Sequence, residues 1–139
     1  MKTTLLSVTL AATLLIGAGF AQKNSSIDLT AHKYAMQNLV AGIHSDNDGV
    51  RRSSIYLAGY YRITETEDAL IDQLAVEKNA STKILISLVL FELGSEKGMQ
   101  EVKNISEIDG DAKVRRMATQ IYNEYLINNS QSTVYTNGQ

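Results

Sequence analysis

From about residue 28 the apolar positions recur three and four apart, interrupted at short intervals by polar stretches. Six stripes result, at roughly 28–44, 50–63, 66–76, 81–93, 96–107 and 112–127. Each has the period of an amphipathic helix, and no segment keeps the alternation of a half-buried strand. The interruptions are turn-like: Ser45-Asp46-Asn47-Asp48-Gly49, Glu77-Lys78-Asn79 and Asp109-Gly110-Asp111, with a further break at Gly94-Ser95. Thr64 and Glu67 have the spacing of a capping box, which predicts a helix start there. The chain has no proline, the residue that most firmly interrupts a helix. The pattern predicts an all-α protein.

The stripes also repeat. Val50, Ser54, Leu57 and Tyr61 map onto Thr82, Ile86, Val89 and Leu93 at an offset of 32, and the same step reaches Val114, Ala118, Ile121 and Tyr125. Spacings of four, three and four put each quartet on one helix face, so three second helices are expected to turn equivalent stripes inward. The first helices repeat at 31, through Val40, Ile71 and Val102 and through Ile43, Leu74 and Ile105. An acid and a base six apart recur as well, Glu77 with Lys83 and Asp109 with Arg115, whereas Ser45 stands opposite Arg51. Such an acid can accept hydrogen bonds from amides at the helix start, or bridge to the neighbouring repeat's base so that a ladder forms. The alternative is solvated turn charges worth under about 1 kcal/mol each.

The segments Ser45-Asp46-Asn47-Asp48-Gly49-Val50-Arg51-Arg52 and Asp109-Gly110-Asp111-Ala112-Lys113-Val114-Arg115-Arg116, each followed by its stripe, resemble HEAT repeats, particularly the short bacterial HEAT-like kind. The resemblance covers about residues 38 to 127. The middle copy departs from it, with Ser81-Thr82-Lys83 where Val-Arg is expected. The resemblance implies a short right-handed α-solenoid of about three helix pairs, residues 28–127. In a stack that short the terminal repeats must act as caps, a role expected of Met36 and Leu39 at one end and Tyr122 to Leu126 at the other.

Ahead of the repeats, Met1-Lys2 leads into an uncharged apolar run from Leu5 to Phe20, and Gly19-Phe20-Ala21 offers small residues at −3 and −1. This is the layout of a cleavable export signal, residues 1–21, and its run of about 16 is shorter than the roughly 20 residues that span a bilayer. Removing it takes away Lys2, leaving 12 bases against 15 acids, a net charge of −3. A secreted or periplasmic protein with no stable membrane anchor is expected. Residues 22–27 and 128–139 are polar and read as a disordered N-terminus and a flexible tail. Zero cysteine excludes disulfides, thiolate metal sites and cysteine nucleophiles, so the apolar core must suffice. The acidic balance weighs against nucleic acid as a partner.

Candidate chemistry is sparse. Placing the glycine of Asp46-Asn47-Asp48-Gly49 at position six of a calcium loop puts His44 at position one and Ile55 at position twelve, both wrong. His32 and His44, the only histidines, lie about 18 Å apart along a straight helix and cannot share a metal. No Gly-x-Ser-x-Gly elbow or phosphate-cradling glycine motif occurs. Asn24, Asn79, Asn104 and Asn128 begin Asn-x-Ser triplets, which matter only in a glycosylating host. No catalytic residue, cofactor or metal is therefore expected.

The remaining signal is the second-helix face opposite the core stripe. Read across the repeats, its rows are Arg52, Ile84 and Arg116; Tyr56, Leu88 and Gln120; and Gly59, Phe91 and Asn123. An apolar centre edged by arginine and tyrosine suits a protein interface. The resemblance places second helices on the concave surface of the stack, so Arg52, Tyr56, Ile84, Leu88, Phe91, Arg116 and Gln120 are the expected partner-binding residues. The arginines favour an acidic or C-terminal carboxylate feature on a protein or peptide partner. The plain alternative is that the residues around Ile84 to Leu93 are core of a central helix. Competing functions are a small-ligand binder or lyase-like enzyme, which some HEAT-like proteins resemble, and self-association through the apolar face or a terminal repeat.

Overall fold

The structure, a computed structural model, describes residues 34–136; the expected export signal, residues 22–27 and His32 lie outside them. Among the described residues the chain is all-α with no strand. It runs α1 (Ala35–Ile43), α2 (Asp48–Tyr60), a 3-10 turn (Thr64–Thr66), α3 (Glu67–Val76), α4 (Ala80–Glu92), α5 (Glu96–Ile108) and α6 (Ala112–Thr136). The last helix outruns its apolar stripe and continues through the polar residues read as a tail. No glycine or proline falls between Ala112 and Thr136, and extending a helix fixes one residue per added hydrogen bond.

The period of 32 reappears as hydrogen-bond chemistry at the helix ends. Asn47, Asn79 and Asp111 stand at equivalent positions before α2, α4 and α6. Their side-chain oxygens accept from the amides of Val50 (3.1 Å), of Ser81 and Thr82 (2.9 and 3.1 Å), and of Lys113 and Val114 (2.7 and 3.3 Å). Each satisfies donors that a helix start leaves open. At the other ends, Arg62 (φ 51°) and Gly94 (φ 67°) occupy the left-handed region one repeat apart. The following amides of Ile63 and Ser95 return to the carbonyls of Ala58 and Leu90, at 2.9 and 3.0 Å. Both turns have the pattern that closes a helix on a left-handed residue. A non-glycine residue there costs about 1 kcal/mol or more, offset in part by the extra freedom that glycine has when unfolded. Arg62→Gly is therefore expected to raise stability by about 0.5 kcal/mol, read as a higher urea midpoint at unchanged slope.

The capping box expected at Thr64 and Glu67 does not form. Thr66 donates its hydroxyl to the Ile63 carbonyl at 2.7 Å and tightens the segment into the 3-10 turn. Glu67 opens α3, and its carboxylate accepts from the Ser95 hydroxyl at 2.5 Å.

Helices pack as the pairs α1–α2, α3–α4 and α5–α6, and contacts also run α1–α3–α5 and α2–α4–α6. Helix α4 is central, touching α2, α3, α5 and α6. The core gathers between the rows around the fully buried Ile43, Ile55, Leu70, Ile86, Leu90, Met99 and Val102. In α4 and α6 the expected stripes turn inward: Thr82, Ile86 and Val89, then Val114, Ala118 and Ile121, are buried, and the last members, Leu93 and Tyr125, are half-buried against the core. In α2 the stripe fails, because Val50 is 49 % exposed, Leu57 41 % and Tyr61 38 %. The reason is which neighbour this face meets. Arg52 donates to the Thr82 hydroxyl at 3.2 Å, and a Cβ on Gly59 would lie 2.7 Å from Val89 Cγ2, so the α4 stripe faces back onto α2. Among the described residues nothing stands in that place for α2, which buries Ile55 and Ala58 instead.

The recurring charges form a ladder, with a rung 26 residues long in place of the six-residue pairs. Arg51 Nε donates to Glu77 Oε2 at 2.8 Å, and Lys83 Nζ pairs with Asp109 Oδ2, so each base reaches the acid of the next repeat. Arg51 also holds the Ser45 carbonyl (2.7 Å), as Arg115 holds that of Asp109. The acids are nearly inaccessible, their side chains 3 % and 5 % exposed. Burial alone would raise the Glu77 carboxyl, but the Asn79 amide, the Gln73 side chain, the Lys78 amide and the Arg51 charge together hold it below the usual glutamate value. For Asp109, burial is likewise outweighed by the Lys83 hydrogen bond, the Asp111 amide and the charges of Lys83 and Arg115.

Candidate protein-interaction face

The C-terminal halves of α2 and α4 run side by side, and Gly59, lacking a side chain, lets them approach closely over Val89. An open cleft of about 330 Å³ lies along this seam, lined by Tyr56, Gly59, Tyr60, Leu88 and Val89, with Arg62 and Glu92 at its end. Tyr56 and Tyr60, one turn apart, stack with ring centroids 5.8 Å apart, and Tyr61 meets Tyr60 edge-on at 4.9 Å. Tyr56 is 55 % exposed, Tyr60 63 % and Leu88 42 %. Arg62 and Glu92 pair at 3.1 Å across the mouth, both largely in water. Exposed aromatic rings held by their neighbours present apolar area with little rotamer freedom left to lose on binding.

Of the residues expected to bind a partner, Tyr56 and Leu88 meet in this cleft. Arg52 is half-buried and engaged with Thr82. Phe91 is half-buried and packs on the hydrophobic core, and Ile84 is half-buried. Arg116 and Gln120 are exposed on α6, outside the cleft. Tyr60, Arg62 and Glu92 were not expected there. Tyr60 was legible as the residue four after Tyr56, on the same helix face. The Arg62–Glu92 contact was not, because it depends on the left-handed turn that swings Arg62 back over α4.

The charged cavity near the α1–α2 turn offers a contrast. About 300 Å³ in volume, it is lined by His44, Arg51, Gln73, Glu77 and neighbouring turn residues. Of its two carboxylates, Asp46 and Glu77, the buried one is saturated: Glu77 Oε1 accepts from the Lys78 and Asn79 amides, and Oε2 from Arg51 and Gln73. His44 Nδ1 lies 3.3 Å from Gln73 Oε1. A carboxylate with four donors is a structural hub, and it has no lone pair left over for a substrate proton. Among the described residues no group of three or more His, Asp or Glu could hold a metal ion, and no helix is long and apolar enough to cross a membrane. Every buried side-chain polar atom among them has a partner. No family model, curated protein or solved structure matches the chain.

Proposed function

We propose that this protein is an exported, non-catalytic interaction module, a short right-handed HEAT-like solenoid that holds a protein or peptide in the cleft between α2 and α4. The observation that carries this reading is the solvent-exposed Tyr56–Tyr60–Leu88 cleft between two second helices. The 32-residue recurrence of caps and left-handed turns, together with the ladder, supports the repeat architecture. Tyrosines beside an apolar pocket make the kind of anchor on which interface energy concentrates.

The test is capture from the envelope or secreted fraction on the mature protein, beside a Tyr56→Ala/Leu88→Asp variant shown to be folded by circular dichroism. A protein retained by wild type is expected to bind the variant at least about tenfold more weakly in a direct titration. Partners indifferent to the double substitution would overturn the reading.

A further inference from the structure

The two ends of the helix stack differ in chemistry. At the α6 end, the positions equivalent to those by which α2 meets α4 are Arg116, Gln120 and Asn123, all exposed and polar, as befits a terminal surface in water. At the α2 end, Val50 and Leu57 occupy positions that α4 and α6 bury, and Tyr61 one that they half-bury, and here all three lie open, with Tyr60 beside them. Charges border this end, Asp48 and Arg51 beside Val50 and Arg62 beside Tyr61, but Arg51 is paired with Asp48 and Glu77, and Arg62 with Glu92. Between Ala35 and Ile43, and again between Ser53 and Tyr61, there is no Asp, Glu, Lys or Arg.

We propose that the α2 end is an interface with a second copy of this chain, the two α2 helices meeting across a two-fold axis. The stripe is already shaped for helix packing, since its equivalents in α4 and α6 do that work inside the molecule. Apposing it to itself brings apolar side chains together, as the self-complementary patch of a two-fold contact needs. Head-to-tail stacking would set this stripe against Arg116, Gln120 and Asn123 and leave polar groups without partners. The chain's own residues 22–33 offer only Ile27 and Leu29 as large apolar groups. The face of a single helix pair is at the small end of stable interfaces, so a dimer with a dissociation constant of about 1–100 µM is expected.

The experiment is sedimentation of the mature protein from sub-micromolar to high micromolar concentration. A reversible monomer–dimer equilibrium is expected, weakened at least about tenfold by Leu57→Asp, a change at an exposed position. The wild-type chain has no cysteine, so Leu57→Cys gives an independent readout that keeps the face apolar: oxidation should produce a covalent dimer, and Asn123→Cys at the other end should not. A mass that stays monomeric throughout, a dimer indifferent to Leu57→Asp, or a wild-type dimer whose Leu57→Cys form does not cross-link would overturn the proposal. Because Leu57→Asp leaves Tyr56 and Leu88 in place, loss of the dimer and loss of a captured partner are separable results.

Discussion

Glu77→Ala is expected to cost about 3 kcal/mol or more, lowering the melting temperature by roughly 10–20 °C in a domain of this size. The substitution removes one end of a sequestered ion pair and leaves the other. Arg51, its side chain 13 % exposed, keeps the Ser45 carbonyl and Asp48, but the charge facing it is gone. The Lys78 and Asn79 amides and the Gln73 side chain lose their shared acceptor as well. Glu77→Gln should be milder, because one amide oxygen still serves the turn while its NH2 group faces the donors of Arg51 and Gln73. By contrast, removing Lys97 from its exposed pair with Asp68 should leave thermal unfolding unchanged within error.

The same geometry fixes the sign of the pH dependence. The Glu77 and Asp109 carboxyls both sit below their ordinary values in the folded chain, so the unfolded chain binds protons first on acidification. Their contribution is whole above the unfolded values of about 4 and is lost as pH falls from there through the folded values. Wild type should therefore lose stability on acidification across that window. The double variant Glu77→Gln/Asp109→Asn should show a flatter profile, measured by urea unfolding at a series of pH values; parallel profiles would refute the assignment.

How much of this was legible in the sequence follows from which interactions are local. The six helices were, because each apolar stripe is decided within one or two turns of chain, although the cap expected at Thr64 and Glu67 gave way to the Thr66 turn. The offset of 32 was legible for the same reason, and it led to the residues of the ladder. The rungs themselves were ambiguous: Glu77 and Lys83 are neighbours in sequence, yet Lys83 turns to Asp109 and Glu77 to Arg51, a choice made by the stacking of one helix pair on the next. Val50, Leu57 and Tyr61 show the limit most clearly. Their spacing is that of a buried stripe, and periodicity records that a face is apolar without recording whether a neighbour exists to cover it. Helical rotation brings Tyr56 and Leu88 to the rows that meet in the cleft, whereas Phe91 satisfies the same rotation and packs on the core. A central helix with neighbours on several sides buries residues that a peripheral helix would expose.

The second large effect is expected where α4 meets α5. Leu90 is fully buried, and Leu90→Ala should cost about 2–5 kcal/mol, from lost transfer energy plus the cavity left behind. Beside it stands Gly98, in the first turn of α5. A Cβ there would lie 2.7 Å from Leu90 Cδ2 and 2.5 Å from Ser95 Oγ, the hydroxyl that caps α5 by accepting from the Gly98 amide at 2.7 Å. Gly98→Ala alone must therefore push α5 away from α4 or displace the cap. Either outweighs the gain of up to about 1 kcal/mol from replacing glycine inside a helix, giving a net loss of about 1–2 kcal/mol. Combined with Leu90→Ala, the clash with Cδ2 disappears, while the Ser95 Oγ contact and a 3.1 Å approach to the Cβ that alanine keeps remain. The double variant should be more stable than the summed single losses predict, by about 1 kcal/mol in a double-mutant cycle from urea unfolding. Strict additivity would place the Gly98 penalty in the Ser95 cap and the residue-90 Cβ contact, and Ser95→Ala in the Gly98→Ala background should then relieve the first part.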